Sequence, residues 1–104
     1  MQNNSTNKIL YCQAIKNYTL FVYENGKNEV FSYTMKKFET KFYQESKLYL
    51  RLHRSWLVNA LYIRSVEKKG EMFQVEMIDG QSIPVSRRRF RKYADVLKSK
   101  FIKR

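Results

Sequence analysis

Two turn dipeptides constrain the fold of this chain most strongly. Asn25-Gly26 and Asp79-Gly80 each separate two runs that are rich in β-branched and aromatic residues. Such dipeptides are the strongest short-range signal for a β-hairpin, because a type I′ turn needs positive φ at both central positions. We therefore expect a type I′ turn at Asn25-Gly26 and a similarly tight hairpin at Asp79-Gly80.

Apolar and polar residues alternate along much of the chain, which is typical of half-buried strands. Pro84 cannot donate to a ladder, so the last strand should lie at a sheet edge or end there. The pattern favours a mostly-β domain. The expected strands are Ile9–Ile15, Tyr18–Glu24, Glu29–Tyr33, Leu48–Leu52, Trp56–Val58, Tyr62–Glu67, Met72–Ile78 and Gln81–Val85.

Two segments show helical spacing instead. Met35, Phe38 and Phe42 recur at intervals of three and four, and Thr34 stands where a helix cap is expected. A second helix is expected after Ser86. Its apolar face would comprise Phe90, Tyr93, Ala94, Leu97 and Phe101.

Charge indicates the class of partner. The 104 residues suit one compact domain, and 21 Lys and Arg against 9 Asp and Glu give a net charge of +12. Such a surplus on a small surface favours a polyanion: DNA, RNA or an anionic membrane face. We interpret Met1–Asn7 as a disordered lead-in and residues 8–104 as the domain. Neither a signal peptide nor a membrane span is visible, so we expect a cytoplasmic protein.

Composition also argues against catalysis, metals and cofactors. A single cysteine, Cys12, and a single histidine, His53, cannot form a Cys/His metal site. Three glycines are too few for a nucleotide-binding glycine motif. His53 has no evident nucleophile or carboxylate partner, so a role as a hydrogen-bond donor or a packed residue is favoured over a general base. Glu39 and Asp95 are expected to be solvated helix residues. We therefore expect a non-enzymatic binding protein.

Three segments concentrate positive charge: Lys16-Asn17-Tyr18, His53-Arg54-Ser55 and Arg87-Arg88-Arg89. The third is the most informative, because arginines in the first turn of a helix oppose the helix dipole and a bound phosphate would relieve that conflict. A charge run can also be no more than a solvated face. The net charge favours a phosphate-binding surface.

The remaining conspicuous side chains have structural explanations. Trp56 lies beside Leu57 and Val58 and is expected in the core. Asn59 is expected to be a turn residue that bonds local backbone. The 8 tyrosines could stack on bases, but most alternate with Phe and Leu, and packing explains them more simply.

Two motifs carry a family resemblance. They are Leu50-Arg51-Leu52-His53-Arg54-Ser55-Trp56-Leu57-Val58-Asn59, followed by Ile63, and Ile83-Pro84-Val85-Ser86-Arg87-Arg88. Together they resemble the LytTR DNA-binding domain over residues 8 to 100. The resemblance implies an elongated, mainly β domain of three small antiparallel sheets with one or two short helices. It also implies binding of double-stranded promoter DNA by loops that enter successive major grooves, as in transcription regulators of bacterial response-regulator type.

The resemblance also implies which residues contact DNA. Tyr18, Arg54 and Arg87 occupy the base-reading positions of the three loops. The full predicted set is Lys16, Asn17, Tyr18, Thr34, Arg51, His53, Arg54, Ser55, Arg87 and Arg88. The implied partner is duplex DNA with repeated half-sites, on which a homodimer would form.

Two alternatives stay open at this point. Charge and aromatic content would also suit an RNA or single-strand binder, and the basic face could instead serve a protein-interaction or membrane-surface module. Family members are usually the output half of a response regulator. This chain has no room for a receiver domain, so it either stands alone or is a fragment of a longer regulator.

Overall fold

The structure, a computed structural model, describes residues 9–45 and 48–100. The expected lead-in at Met1–Asn7 and the expected helix residue Phe101 lie outside the described residues. In chain order the strands are β1 (Ile9–Ile15), β2 (Tyr18–Tyr23), β3 (Asn28–Phe31), β4 (Tyr49–His53), β5 (Trp56–Asn59), β6 (Ile63–Lys69), β7 (Met72–Met77) and β8 (Ser82–Val85). The α-helices are α1 (Met35–Glu45), α2 (Arg87–Lys92) and α3 (Ala94–Lys98), and a short 3₁₀ turn spans Ala60–Tyr62.

The strands form two antiparallel sheets. The five-stranded sheet has the order β3-β2-β1-β5-β4, and the three-stranded sheet has the order β6-β7-β8. The mainly β architecture is confirmed, but the strands make two sheets where three were predicted. The reason is β1, which pairs on both sides: Cys12 lies opposite Phe21 of β2 and Leu57 of β5. This double pairing joins two hairpins into one sheet.

Each face of the five-stranded sheet contributes to a different core. Cys12 and Leu57 pack with α1 through Met35. The neighbouring residues Tyr11 and Val58 point to the opposite face and pack with β6, β7, β8, α2 and α3. This alternation follows from the period of two along a strand. The layers are therefore α1, the five-stranded sheet, and the three-stranded sheet with its helices.

The hairpin at Asn25-Gly26 exists, but its turn is not type I′. The N–H of Gly26 donates to the carbonyl of Tyr23 at 3.0 Å, and the N–H of Tyr23 donates to the carbonyl of Lys27 at 2.9 Å. Gly26 has a φ of 86°, whereas that of Asn25 is not positive. The loop therefore has three residues and ends in a glycine bulge. The side chain of Asn25 stabilises this longer loop by accepting from the N–H of Lys27 at 3.0 Å.

The Asp79-Gly80 hairpin has the same construction. The N–H of Gly80 donates to the carbonyl of Met77 at 2.9 Å, and Asp79 Oδ1 accepts from the N–H of Gln81 at 3.0 Å. In both loops the side chain of Asn25 or Asp79 accepts a hydrogen bond from the backbone N–H two residues later, as in an Asx-turn.

The predicted edge position of Pro84 is confirmed, since β8 is an outer strand of its sheet. The single helix expected after Ser86 is instead divided into α2 and α3 at Tyr93, whose φ and ψ are −111° and 23°. The hydroxyl of Tyr93 accepts from the N–H of Arg51 at 3.4 Å, so the break accompanies a contact with β4. Phe90 and Leu97, one from each helix, are both buried in the same core.

Candidate nucleic-acid interface

The first two cationic segments lie side by side at one end of the strands of the five-stranded sheet. Gln13 of β1 lies opposite Trp56 of β5, so the end of β1 meets the start of β5. Just beyond this pair, the N–H of Ala14 donates to the carbonyl of Ser55 at 2.8 Å. The turn that contains Lys16 therefore lies next to the turn that contains Arg54.

The third segment lies at the same end of the strands, and a bulge in β4 connects it there. Arg51 lies opposite Leu57 and His53 lies opposite Trp56, which leaves Leu52 without a partner in β5. The carbonyl of Leu52 accepts instead from the N–H of Ser86, at 3.1 Å. A β-bulge bends its strand and leaves one residue unpaired in the ladder. Here the unpaired carbonyl of Leu52 connects the end of β4 to the start of α2.

These contacts define a surface that we call the cationic edge: Lys16, Asn17, Tyr18, His53, Arg54, Ser55, Arg87 and Arg88. The structure thus brings together eight of the ten predicted residues. The remaining two, Thr34 and Arg51, are close to it in different ways.

The first segment forms a tight connection between β1 and β2. Lys16 has a φ of 54° and is the only non-glycine residue with positive φ among the residues that the structure describes. Tyr18 is 51% exposed. The next residue, Thr19, is buried, and its hydroxyl donates to the carbonyl of Tyr33 at 2.6 Å. This bond places the exposed Thr34, immediately before α1, near the first segment.

Arg51 supports the second segment from within. Its side chain is only 12% exposed. The guanidinium forms an ion pair with Glu39 of α1, and it donates from Nε to the carbonyl of His53 at 3.0 Å and from Nη2 to the carbonyl of Arg54 at 2.5 Å. Its donors are therefore directed at the β4–β5 turn, and the exposed group at the tip of that turn is Arg54.

Glu39 corrects one expectation. It was predicted to be a solvated helix residue, but its side chain is only 18% exposed and pairs with Arg51. The reason is tertiary: α1 packs over the sheet face next to β4, which brings together side chains that are 12 residues apart. Sequence spacing carries no signal for such a pair.

His53 accepts a hydrogen bond in the same turn, whereas a donor or a packed residue was expected. Its Nδ1 accepts from the N–H of Ser55 at 3.1 Å. Burial lowers the pKa of His53, and the positive charges of Arg54, Arg51 and Arg89 lower it further. The imidazole is therefore neutral at neutral pH, which keeps Nδ1 available as the acceptor.

The third segment is presented by a capped helix. Ser86 Oγ accepts from the N–H of Arg89 at 3.3 Å, which confirms the predicted cap. Arg87 is exposed, and its Nη2 lies 2.5 Å from Glu71 Oε1. Arg88 is exposed, whereas Arg89 is partly buried and donates from Nη1 to the carbonyl of Arg51 at 3.3 Å. No sequence signal connects Glu71 to Arg87 or Arg89 to the carbonyl of Arg51, because these pairs are 16 and 38 positions apart.

Two carboxylates, those of Asp79 and Glu24, lie at the opposite end of the strands. Tyrosine hydroxyls there donate to Asp79 (from Tyr11, 2.9 Å) and to Glu24 (from Tyr62, 3.1 Å). Burial raises the pKa of Tyr11, and the hydrogen bond to Asp79 raises it further. These two acidic groups are thus held away from the cationic edge, whereas Glu39 and Glu71 pair with arginines in or beside it.

Other predicted residues are placed as expected. Trp56 is buried and packs against Tyr11, with ring centroids 5.7 Å apart. Asn59 bonds local backbone as predicted, since its Oδ1 accepts from the N–H of Leu61 at 3.0 Å. Its Nδ2 also donates to the carbonyl of Ile9 at 3.1 Å, a contact between residues 50 positions apart that the sequence did not predict.

Within residues 9–45 and 48–100, no group of three or more His, Cys, Asp or Glu side chains is arranged to hold a metal ion. In the same part of the chain, none of the helices has the length and apolar character that a bilayer crossing requires.

The chain is similar to known proteins in both sequence and structure. A sequence model described as the LytTr DNA-binding domain matches residues 2–98. A solved structure described as the LytTr DNA-binding domain of a protein assigned as a methyl-accepting/DNA response regulator from Bacillus cereus is similar, with a TM-score of 0.73 and 26% sequence identity. The similarity covers 86% of this chain and 81% of that one. No curated protein sequence matches the chain significantly. Because the family model spans nearly all of the chain, this protein belongs to the LytTr DNA-binding domain family.

Proposed function

We propose that the cationic edge binds double-stranded DNA sequence-specifically and that this protein regulates transcription by placing three segments in successive major grooves. The observation that carries the proposal is the common location of the three segments. Ala14 bonds to Ser55 and Ser86 bonds to Leu52, so all three segments emerge at the ends of neighbouring strands. In this proposal Arg54 and Arg87 read guanine edges, and the surrounding cations contact phosphates.

The shape of the molecule supports engagement of more than one groove. The molecule measures 44 × 24 × 23 Å, so it is elongated. Its long dimension exceeds the roughly 34 Å of one helical turn of DNA. In this proposal the cationic edge runs along that dimension.

The hydrogen bonds that fix the conformation of the second segment also support base reading. Arg51 and His53 hydrogen-bond the turn that carries Arg54. A turn that is already ordered loses less conformational entropy on binding, so more of the interaction energy of Arg54 is available for discrimination.

The test compares base reading with charge neutralisation. Selection from random duplexes first yields the preferred site and shows whether it contains repeated half-sites. Arg54→Ala and Arg87→Ala are then assayed by gel shift on that site and on a scrambled duplex. We expect each variant to lose about 1–3 kcal/mol of binding free energy on the selected site and much less on the scrambled one.

Arg64→Ala is the matched control. Arg64 is exposed and pairs with Glu76 at 3.7 Å, and its Nη2 donates to the carbonyl of Ile78 next to the Asp79 loop, away from the cationic edge. Its substitution should leave both affinities nearly unchanged. Equal losses on both duplexes for Arg54→Ala and Arg87→Ala would rule out base reading and leave only electrostatic binding.

Binding to single-stranded nucleic acid is the second candidate. Two exposed tyrosines favour it, because Tyr18 is 51% and Tyr33 is 50% exposed near the first segment, where they could stack on bases. Competition of a labelled selected duplex with RNA and with single strands separates the two functions. Poor competition by single strands supports duplex recognition, whereas competition that equals that of the duplex supports the second candidate.

A further inference from the structure

The hairpin between β6 and β7 approaches the third segment, although no sequence motif connects them. Lys68 of β6 lies opposite Phe73 of β7, and Phe73 lies opposite Val85 of β8. The hairpin tip, with Lys69 and Glu71, therefore lies at the same end of the three-stranded sheet as the start of α2.

A groove separates this hairpin from α2. Its lining includes the cations Lys68, Arg87 and Arg91 and a single acidic residue, Glu71. Phe73 and Phe90 complete the lining and are stacked, with ring centroids 3.7 Å apart and planes inclined by 8°. The stacked rings hold β7 against α2, so the two sides of the groove keep their separation.

Glu71 contacts the proposed base-reading arginine directly. Its Oε1 accepts from Nη2 of Arg87 at 2.5 Å, and both side chains are accessible, 82% and 61% exposed. A guanidinium has five N–H donors, so this bond leaves the others available for the O6 and N7 acceptors of guanine.

We propose that Glu71 is a positioning residue that raises the sequence specificity of Arg87. The proposal rests on the proposed function and deepens it. Glu71 orients the guanidinium before DNA arrives, which reduces the rotamer entropy lost when a guanine is bound. Its carboxylate also competes with DNA phosphates for the Arg87 guanidinium, which weakens non-specific contacts made through Arg87. A guanine binds the N–H donors that Glu71 leaves available, so its contact with Arg87 is weakened less.

The test uses Glu71→Gln, which keeps the size of the side chain and removes its charge. We expect affinity for a scrambled duplex to rise and affinity for the selected site to rise less or to fall. The ratio of specific to non-specific affinity should drop on the order of two- to fivefold, the scale of one exposed ion pair. Binding is measured by fluorescence anisotropy at one fixed salt concentration.

Glu67→Gln is the matched control for net charge. Glu67 is an acidic residue of the same hairpin, but it pairs with Lys69 at 4.0 Å instead of with Arg87. If Glu67→Gln lowers the specificity ratio as much as Glu71→Gln does, the effect is one of overall charge and the proposal is overturned.

A double-mutant cycle with Arg87→Ala tests whether Glu71 acts through Arg87. In the Arg87→Ala background, Glu71→Gln should no longer change the specificity ratio, and a persisting change would overturn the proposal. If Arg87→Ala weakens binding to the selected site much more than to the scrambled duplex, but Glu71→Gln leaves the specificity ratio unchanged, only this proposal fails. If Arg87→Ala itself weakens both duplexes equally, base reading by Arg87 fails as well.

Discussion

Four arginines in or next to the cationic edge have different surroundings and therefore different roles. Arg51 is almost enclosed and directs its donors at the β4–β5 turn. Arg89 donates to the carbonyl of Arg51 and fastens α2 to β4. Arg54 is exposed at the tip of the turn, and Arg87 is exposed beside Glu71. Two arginines therefore hold the scaffold together, and the other two are available to a ligand.

His53 makes folding stability depend on pH. Its pKa is lowered in the folded protein by burial and by neighbouring arginines. As pH falls from 7.5 to 5.5, the unfolded chain takes up a proton at about 6.5, while folded His53 resists protonation. Stability contributed by neutral His53 is therefore present above pH 6.5 and is lost as pH falls.

His53→Asn should remove this dependence, because asparagine does not titrate and can still accept from the N–H of Ser55. The measurement is urea denaturation of both proteins at pH 7.5 and pH 5.5. We expect the wild type to lose more unfolding free energy than the variant over this interval. His53 is the only histidine of the chain, so equal losses would contradict the assignment.

At the scale of elements, α2 has an unfavourable composition for its position. Its six residues include five cations, and none of the residues in its first turn is acidic, which opposes the helix dipole. The helix is nevertheless stabilised by the Ser86 cap and by Phe90, which stacks on Phe73. A binding segment with repelling charges is thus held in place by its N-terminal cap and by the packing of Phe90.

Substitution of Ser86 separates the cap from the charge. Ser86→Ala removes the acceptor for the N–H of Arg89 and should lower the free energy of unfolding by about 1 kcal/mol. Ser86→Asp keeps an acceptor and adds a negative charge at the positive end of the helix, so we expect stability at or above that of the wild type. Its charge should nevertheless weaken DNA binding. Thermal melting and gel shift measure the two effects, and an Asp variant as unstable as the Ala variant would contradict the role of the cap.

Elements with a strong local pattern were predicted well. The strand Ile9–Ile15 has the predicted bounds, and Met35 and Phe42 are buried on the inner face of α1 as expected. Local patterns failed at two places. The Asn25-Gly26 turn is a three-residue loop, in which the Asn25 side chain accepts from the N–H of Lys27. The second helix is divided at Tyr93, whose hydroxyl contacts β4, a distant segment of the chain.

At the scale of the whole molecule, the exposed cations of the three segments share one end of the strands. Lys16, Arg54 and Arg87 lie there, whereas Asp79 and Glu24 accept from tyrosines at the other end. A cluster of positive charge on one side orients a protein toward a polyanion and increases the rate of encounter.

The salt dependence of DNA binding tests whether the position of a positive charge matters. Lys16→Gln should reduce the slope of log affinity against log salt by about 0.9, the value for one phosphate contact. Lys27→Gln removes the same charge in the Asn25-Gly26 loop, at the opposite end of β1 and β2, and should leave the slope unchanged. Equal changes in both slopes would show that net charge, and not its placement, governs binding.

Much of this protein was determined by its sequence alone. Alternation gave the strands, and the motifs around His53-Arg54-Ser55 and Pro84 identified the family and the three cationic segments. Tertiary structure decided how these segments are used. The double pairing of β1 and the bulge at Leu52 placed the segments at one edge, and chain reversal brought Glu39 to Arg51 and Glu71 to Arg87. Local patterns report how a residue relates to its chain neighbours, whereas these ion pairs join residues 12 and 16 positions apart, which only packing brings together.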